Sequence, residues 1–252
     1  MSSIPVALQM YTVRDQTDID FIGTYKKVAE IGYAGVEVAS TGGLTGTEMK
    51  TLLDDLGFGR AGIHCGIDAL EADVNAAADY ALAMESKYIT CPWMPEERRQ
   101  DAAGWKATAE KLTEIGAALH KQGLTFCYHN HSFEFQKFAG EYGLDILYGN
   151  SCPACLKAQL DTYWVQHGGE SPAAYIKKYS GRVPLVHLKD MTAGENPTFT
   201  EVGNGILDWK AIFAAAEAAG TEWFIVEQDV CAGPSLESAK ISFDNLKKMG
   251  AI

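Results

Sequence analysis

No stretch of this chain reaches the ~18–20 consecutive apolar residues that cross a bilayer, so no membrane-spanning helix is expected. Positive charge is also scarce. Against 33 Asp and Glu stand 21 Lys and Arg, a formal net charge of −12. Such a surface repels phosphate backbones and anionic lipids, which argues against nucleic-acid partners and against a membrane surface. The opening residues, MSSIPVALQM, lack a basic segment followed by a long apolar one. No signal peptide is therefore expected, and the cytoplasm is the expected setting. No G-x-G-x-x-G follows the first apolar run, which removes the best support for a dinucleotide-binding open sheet. Global disorder is excluded, because hydrophobic residues make up 47% of the 252 positions, enough for a sizeable core.

Cysteine is sparse: Cys65, Cys91, Cys127, Cys152, Cys155 and Cys231. Four lie in or beside apolar runs, where a free thiol serves as a small core residue. Cys152-Pro-Ala-Cys155 has CxxC spacing. No second ligand pair accompanies it for a structural zinc, and no thioredoxin-like unit surrounds it. The spacing is expected to carry no function.

What the chain does have is alternation. Apolar runs of strand length occur at residues 6–11, 35–38, 60–64, 88–91, 124–130, 156–161, 183–188 and 223–226. Between and after them lie stretches of helical periodicity at 21–31, 48–56, 70–86, 103–122, 144–148, 173–179, 209–219 and 236–249. Strands alternating with helices predict parallel pairing through right-handed crossovers. Eight such units in about 250 residues fit an α/β chain folded as a single (β/α)8 TIM barrel over residues 1–252. A doubly wound open sheet is the alternative.

In a barrel the chemistry gathers at the C-terminal ends of the strands. Here those ends read Gln9-Met10-Tyr11, Glu37, His64, Pro92-Trp93, His129-Asn130-His131, Asp161, His187-Leu188-Lys189-Asp190 and Glu227-Gln228-Asp229. Four of the six histidines fall there. Asp161, His187 and Glu227 each follow an apolar run directly, as LKAQLD, VPLVH and WFIVE. An unpaired carboxylate at a barrel mouth is costly unless something compensates it. A divalent cation compensates several at once. Carboxylates with an imidazole suit Mn²⁺, Mg²⁺, Co²⁺ or Zn²⁺.

The order and spacing of LQMYTVRD, GYAGVEV, YHNHSFEF, LDTYWV, GRVPLVHLKDM and IVEQD resemble the xylose-isomerase-like TIM-barrel superfamily, and within it the sugar phosphate isomerase/epimerase family. The resemblance implies a divalent metal, Mn²⁺ first, held by Glu, Asp, His and Glu from the fifth to eighth strands. Asp161, His187 and Glu227 match three of these. The fifth strand carries Tyr128-His129 where the first Glu belongs. Glu134, the nearest carboxylate beyond it, is the expected fourth ligand because it retains charge against a dication. His129 or His131 is the alternative occupant.

The resemblance further implies two metal-bound glutamates as an acid/base pair, here Glu227 and Glu134, with His131 or His129 serving if Glu134 does not. Lys189, on the same side as His187, would bind a substrate oxygen or stabilise an enolate, or else pair with a mouth carboxylate. His64, His129, Trp93, Trp164 and Glu37 are expected to face a small sugar substrate. Glu37 would otherwise pair with Arg14 in a lower layer, and Asp229 would orient a ligand. Residues 192–205 form a long loop that would act as a lid. The implied activity is isomerisation or epimerisation of a ketose, keto-sugar or inositol derivative by proton abstraction next to a carbonyl. Dehydration of a keto-sugar or ketoinositol begins with the same step and is the alternative. An AP-endonuclease-like barrel or a non-catalytic sugar-binding barrel is less consistent with the acidic balance and with the acid/base residues present. The charge also favours an unphosphorylated substrate. A homo-oligomer is allowed by the sequence.

Overall fold

The structure, a computed structural model, describes residues 4–252. Eight parallel strands close into a barrel in chain order. They are β1 (Val6–Gln9), β2 (Gly35–Val38), β3 (Gly59–His64), β4 (Tyr88–Cys91), β5 (Thr125–His129), β6 (Lys157–Asp161), β7 (Leu185–Leu188) and β8 (Trp223–Val226). The ring shuts between β1 and β8, where Val6 stands opposite Phe224 and Leu8 opposite Val226. This is the (β/α)8 TIM barrel that the alternation predicts. The first strand is shorter than its apolar run, because Met10–Val13 coils into a 3₁₀ turn capped by the Gln9 side chain.

Three local features depart from the sequence pattern. Residues 70–86 do not form one helix but two, Ile67–Ala72 and Val74–Ala83. Asp73 breaks them: its backbone is extended, and its carboxylate accepts from the N–H groups of Asn75 and Ala76. Asp favours this capping conformation over a helix interior, even within an alanine-rich stretch. The helix Thr162–His167 and the hairpin Lys137–Phe138/Glu141–Tyr142 carry no signal in the apolar pattern. The hairpin turns through Ala139 and Gly140, both at positive φ, as a two-residue turn requires.

Alternation stacks the barrel interior in layers. Ala7, Ala61, Tyr88, Cys127, Leu185 and Ile225 form an apolar plug, with Trp223 packed against it. A Cβ on Gly35 or Gly59 would come within 2.9 or 2.7 Å of the Trp223 ring, so that ring fills the space where these strands have no side chain. Two residues further along each strand, the same inward parity presents Gln9, Glu37, His129, His187 and Glu227. Strand β3 needs a correction of register to join them. Its pairing with β2 slips between Val36 and Glu37, at Gly62, whose φ is +152° and whose Cβ would lie 3.2 Å from Glu37 Oε1. This bulge turns His64 inward although it lies three residues after inward-facing Ala61. The opposite strand faces, among them Leu8, Val36, Phe126, Leu160, Val186 and Phe224, are buried in the main core beneath the helices. Among the described residues no helix is long and apolar enough to cross a membrane.

Candidate active site

The mouth of the barrel brings His129, Asp161, His187 and Glu227 together. One donor atom from each lies within 4.8 Å of all the others, and all four residues are buried. The expected fourth ligand, Glu134, is not in this group; His129 stands in its place. Glu134 sits on the short turn Phe133–Phe135. Its Oε1 accepts from the Tyr128 hydroxyl at 2.7 Å and its Oε2 from the His131 backbone N–H at 2.8 Å. Tyr128 and His129 leave β5 on opposite faces, so a carboxylate bound to Tyr128 is drawn out of the barrel toward the helices. Burial pushes the Glu134 carboxyl up to about 7, against the lowering pull of these hydrogen bonds.

A chain of amide and carboxylate contacts fixes which atom of His129 faces the cluster. Glu37 is fully buried beneath it. Its Oε1 accepts from Gln159 Nε2 at 2.5 Å. That contact turns the Gln159 amide so that its oxygen points the other way, where it receives His129 Nδ1 at 3.1 Å. His129 is thus held with a proton on Nδ1 and a lone pair on Nε2. Burial, with His187 and His131 nearby, keeps its pKa well below the ordinary imidazole value, so the ring is neutral and fit to bind a cation. The Glu37 carboxylate also accepts from Gln9 Nε2 at 2.6 Å, and its Oε2 lies 3.0 Å from His64 Nε2. Despite the cost of burial, the cationic pull of His64 and His187 brings Glu37 down to about 2. Glu37 was expected to face substrate or to pair with Arg14. It does neither: it braces the layer below, while Arg14 donates to the backbone carbonyls of Tyr11 and Asp229.

His187 spans two carboxylates, with Nε2 2.7 Å from Glu37 Oε2 and Nδ1 2.8 Å from Glu227 Oε2. Burial pulls its pKa down, but Glu37 and Glu227 push it up to about 10. Both ring nitrogens face carboxylates, so Nδ1 binds a cation only after releasing its proton. Lys189 is buried beside it, its ammonium 2.7 Å from Glu227 Oε2, 2.8 Å from Asp229 Oδ1 and 3.2 Å from Asp161 Oδ2. The three carboxylates outweigh burial and hold this lysine protonated. Glu227 is driven the other way: burial would raise it, yet Lys189 and His187 keep it well below the usual carboxylate range.

Asp161 shows the clearest gap. Its Oδ1 caps the following helix by accepting from Trp164 N–H at 2.8 Å. Its Oδ2 is buried and, among the described residues, makes no hydrogen bond; the Lys189 ammonium pairs with it at 3.2 Å, and it lies 3.8 Å from His129 Nε2 and 4.0 Å from His187 Nδ1. Burial raises the Asp161 carboxyl to about 6, against the pull of Lys189 and His187. A buried carboxylate oxygen facing two imidazole nitrogens, with Glu227 alongside, is a mixed N/O donor set that fits a divalent cation.

Above the cluster opens a cavity of about 480 Å³. His64, His129, His131, Lys189, Glu227 and Asp229 line it together with the aromatic rings of Tyr11, Trp93 and Trp164. Five of the residues expected near substrate, His64, His129, His131, Trp93 and Trp164, therefore line it. His131 Nδ1 is buried and has no hydrogen-bond partner among the described residues, and burial with the Lys189 charge lowers that imidazole to about 3. The segment 192–205 is stapled at its base. The Asp190 carboxylate accepts from Gly203 N–H, Gly205 N–H and Trp209 Nε1 at 2.9–3.0 Å, and Met191 pairs with Phe199. Gln159 has no place in the sequence-based site. Its signal was present all the same: an amide in the apolar run LKAQLD, two residues before Asp161 and so on the same face.

The chain resembles known proteins at two levels. The inosose dehydratase of Clostridium beijerinckii is 27% identical over 142 residues, which is 50% of this chain and 47% of the relative. A dehydratase of that name from Geobacillus thermodenitrificans is 28% identical over 142 residues, with the same coverage. The chain thus matches about half the length of these curated relatives. Among solved structures, a sugar phosphate isomerase/epimerase of Parabacteroides distasonis superposes with a TM-score of 0.83 at 21% identity, over 98% of this chain and 94% of that one. D-allulose 3-epimerase from Methylomonas sp. superposes at 0.72 with 13% identity, over 98% of both. At such identities the superpositions establish the fold. The model of the xylose isomerase-like TIM barrel matches residues 25–249, and with the closed barrel this places the chain in that family.

Proposed function

We propose that the protein is a divalent-cation-dependent enzyme that removes a proton next to a carbonyl on an unphosphorylated keto-sugar or ketoinositol, with loss of water as the outcome. The observation that carries this reading is the convergence of His129 Nε2, His187 Nδ1, Glu227 and Asp161 Oδ2 on one buried point. Those four residues would hold the cation, Mn²⁺ first, with Mg²⁺, Co²⁺ or Zn²⁺ as alternatives. When bound, the cation supplies Lewis-acid polarisation of the carbonyl.

The chain's own residues do the rest. Glu227 lines the cavity and is held ionised by Lys189 and His187, so it is in the right form to take the proton. The Lys189 ammonium offsets negative charge as it develops on the substrate oxygen. Glu134, the second glutamate of a two-base epimerase, faces Tyr128 and away from the cavity. That leaves Glu227 to take the proton and return it to the departing hydroxyl on the same face, which yields an unsaturated ketone and water. The inosose dehydratase relatives support a reaction of this class. Isomerisation or epimerisation is a second reading, favoured by the imidazoles of His64 and His131 in the same cavity, which would return the proton to carbon.

Incubation of Mn²⁺-loaded protein with a panel of ketoinositols and ketoses in D₂O separates these outcomes by mass. Loss of one water identifies a dehydratase. Deuterium gain without loss of water identifies an isomerase or epimerase. Neither change in any substrate, with the cation bound, would overturn proton abstraction.

A further inference from the structure

The CxxC segment remains outside this chemistry. Cys152 and Cys155 lie at the entrance to β6, on the end of the barrel opposite the cavity. The segment is a tight turn, closed by Cys155 N–H donating to the Cys152 carbonyl at 3.0 Å and Leu156 N–H donating to it at 2.9 Å. It is fixed from three sides. Cys152 N–H donates to Thr113 Oγ1 at 3.1 Å. Arg182 Nη2 donates to Ser151 Oγ at 2.7 Å and its Nε to the Leu156 carbonyl at 2.9 Å. The helix Ala102–His120 comes so near that a Cβ on Gly116 would lie 2.0 Å from the Cys155 carbonyl oxygen.

Inside this frame the two sulfurs are 2.8 Å apart, with the Cys155 thiol donating to Cys152 Sγ. Neither residue is buried. That thiol and the backbone N–H groups of Cys155 and Ala154 together favour the Cys152 thiolate, while Cys155, the donor, is shifted up. The turn holds the two sulfurs close enough for one to resolve a mixed disulfide formed on the other.

We propose that Cys152 and Cys155 form a reversible dithiol/disulfide site that reacts with small-molecule disulfides. Cys152 thiolate attacks one sulfur of the disulfide, forming a mixed disulfide and releasing one thiolate. Cys155 gives up its proton and attacks Cys152 Sγ, which breaks the mixed disulfide and releases the second thiolate. The two thiolates take up the two protons. The protein is oxidised by two electrons and the small disulfide is reduced to two thiols.

The test uses the full chain, reduced, freed of reductant, incubated with oxidised glutathione, then alkylated and digested. The wild type is expected to lose two hydrogens between Cys152 and Cys155 and to regain them with dithiothreitol, while Cys91 and Cys127 stay alkylated. Cys155→Ser should trap glutathione on Cys152. Cys152→Ser should trap it on Cys155 at least about tenfold more slowly. The proposal is overturned if glutathione persists on wild-type Cys152, if Cys152 is unchanged, or if Cys152 in Cys155→Ser reacts no faster than Cys65 and Cys231.

Discussion

Glu134→Gln should stabilise the protein, and increasingly so as pH rises. Glu134 is buried with its carboxyl near 7, against an ordinary value of 4.5. Below about 4.5 the group is protonated in both the folded and unfolded chains and contributes nothing. Above that, the unfolded chain ionises first, so stability falls until the folded carboxyl ionises near 7. The linkage relation puts the penalty at about 1.4 kcal/mol at about pH 5.5 and about 3.4 kcal/mol at about pH 8.5. A protonated carboxyl and an amide offer the same pairing, one acceptor for His131 N–H and one donor toward Tyr128. The variant should therefore resemble the protonated wild type and lack the pH-dependent loss. Urea unfolding of both proteins at about pH 5.5 and 8.5 should show the variant's advantage growing by about 2 kcal/mol across that interval. Parallel pH profiles would refute the placement of Glu134 in an apolar setting. A variant destabilised throughout would show that the ionised form is needed for the fold.

Other expectations concern the cluster. Saturation with Mn²⁺ at about 100 times its dissociation constant should stabilise the wild type by about 2.7 kcal/mol, a rise in Tm of about 5–10 °C. Asp161→Asn should abolish most of that rise, and an undiminished shift would remove Asp161 from the site. Gln159→Leu frees His129 Nδ1 and should weaken Mn²⁺ binding by about 10–100-fold by calorimetry, whereas unchanged affinity would show that the amide does not orient the imidazole. Lys189→Met leaves Asp161, Glu227 and Asp229 without their ammonium and should cost about 3–5 kcal/mol in chelator. Added Mn²⁺ should recover part of that loss, and equal destabilisation with and without the cation would contradict a shared charge environment.

The barrel was legible because its signal is repeated: eight apolar runs, each followed by helical periodicity, leave little choice of topology. That Asp161, His187 and Glu227 converge at the mouth was legible for a local reason, since each directly follows an apolar run. Glu134 was misplaced because charge was weighed over parity. The alternation that sets Tyr128 opposite His129 was readable, but the partnership between Tyr128 and Glu134 depends on how the chain folds back after His131. Glu37 was read as facing substrate because it ends its strand; its depth follows from its register beside Gln9, whereas the slip at Gly62, which turns His64 inward, is a bulge that no composition rule announces. Gln159 went unread because an amide in a strand carries no chemistry alone and acquires its role only between Glu37 and His129. Asp73 shows that one capping side chain can override an alanine-rich helical stretch.

The central claim is that His129, and not Glu134, completes a cation site with Asp161, His187 and Glu227. The most direct measurement is the number of Mn²⁺ ions retained per chain after dialysis, for the wild type, His129→Ala and Glu134→Gln. One ion in the wild type and in Glu134→Gln, with none in His129→Ala, is the predicted result. Retention by His129→Ala together with loss in Glu134→Gln would contradict it.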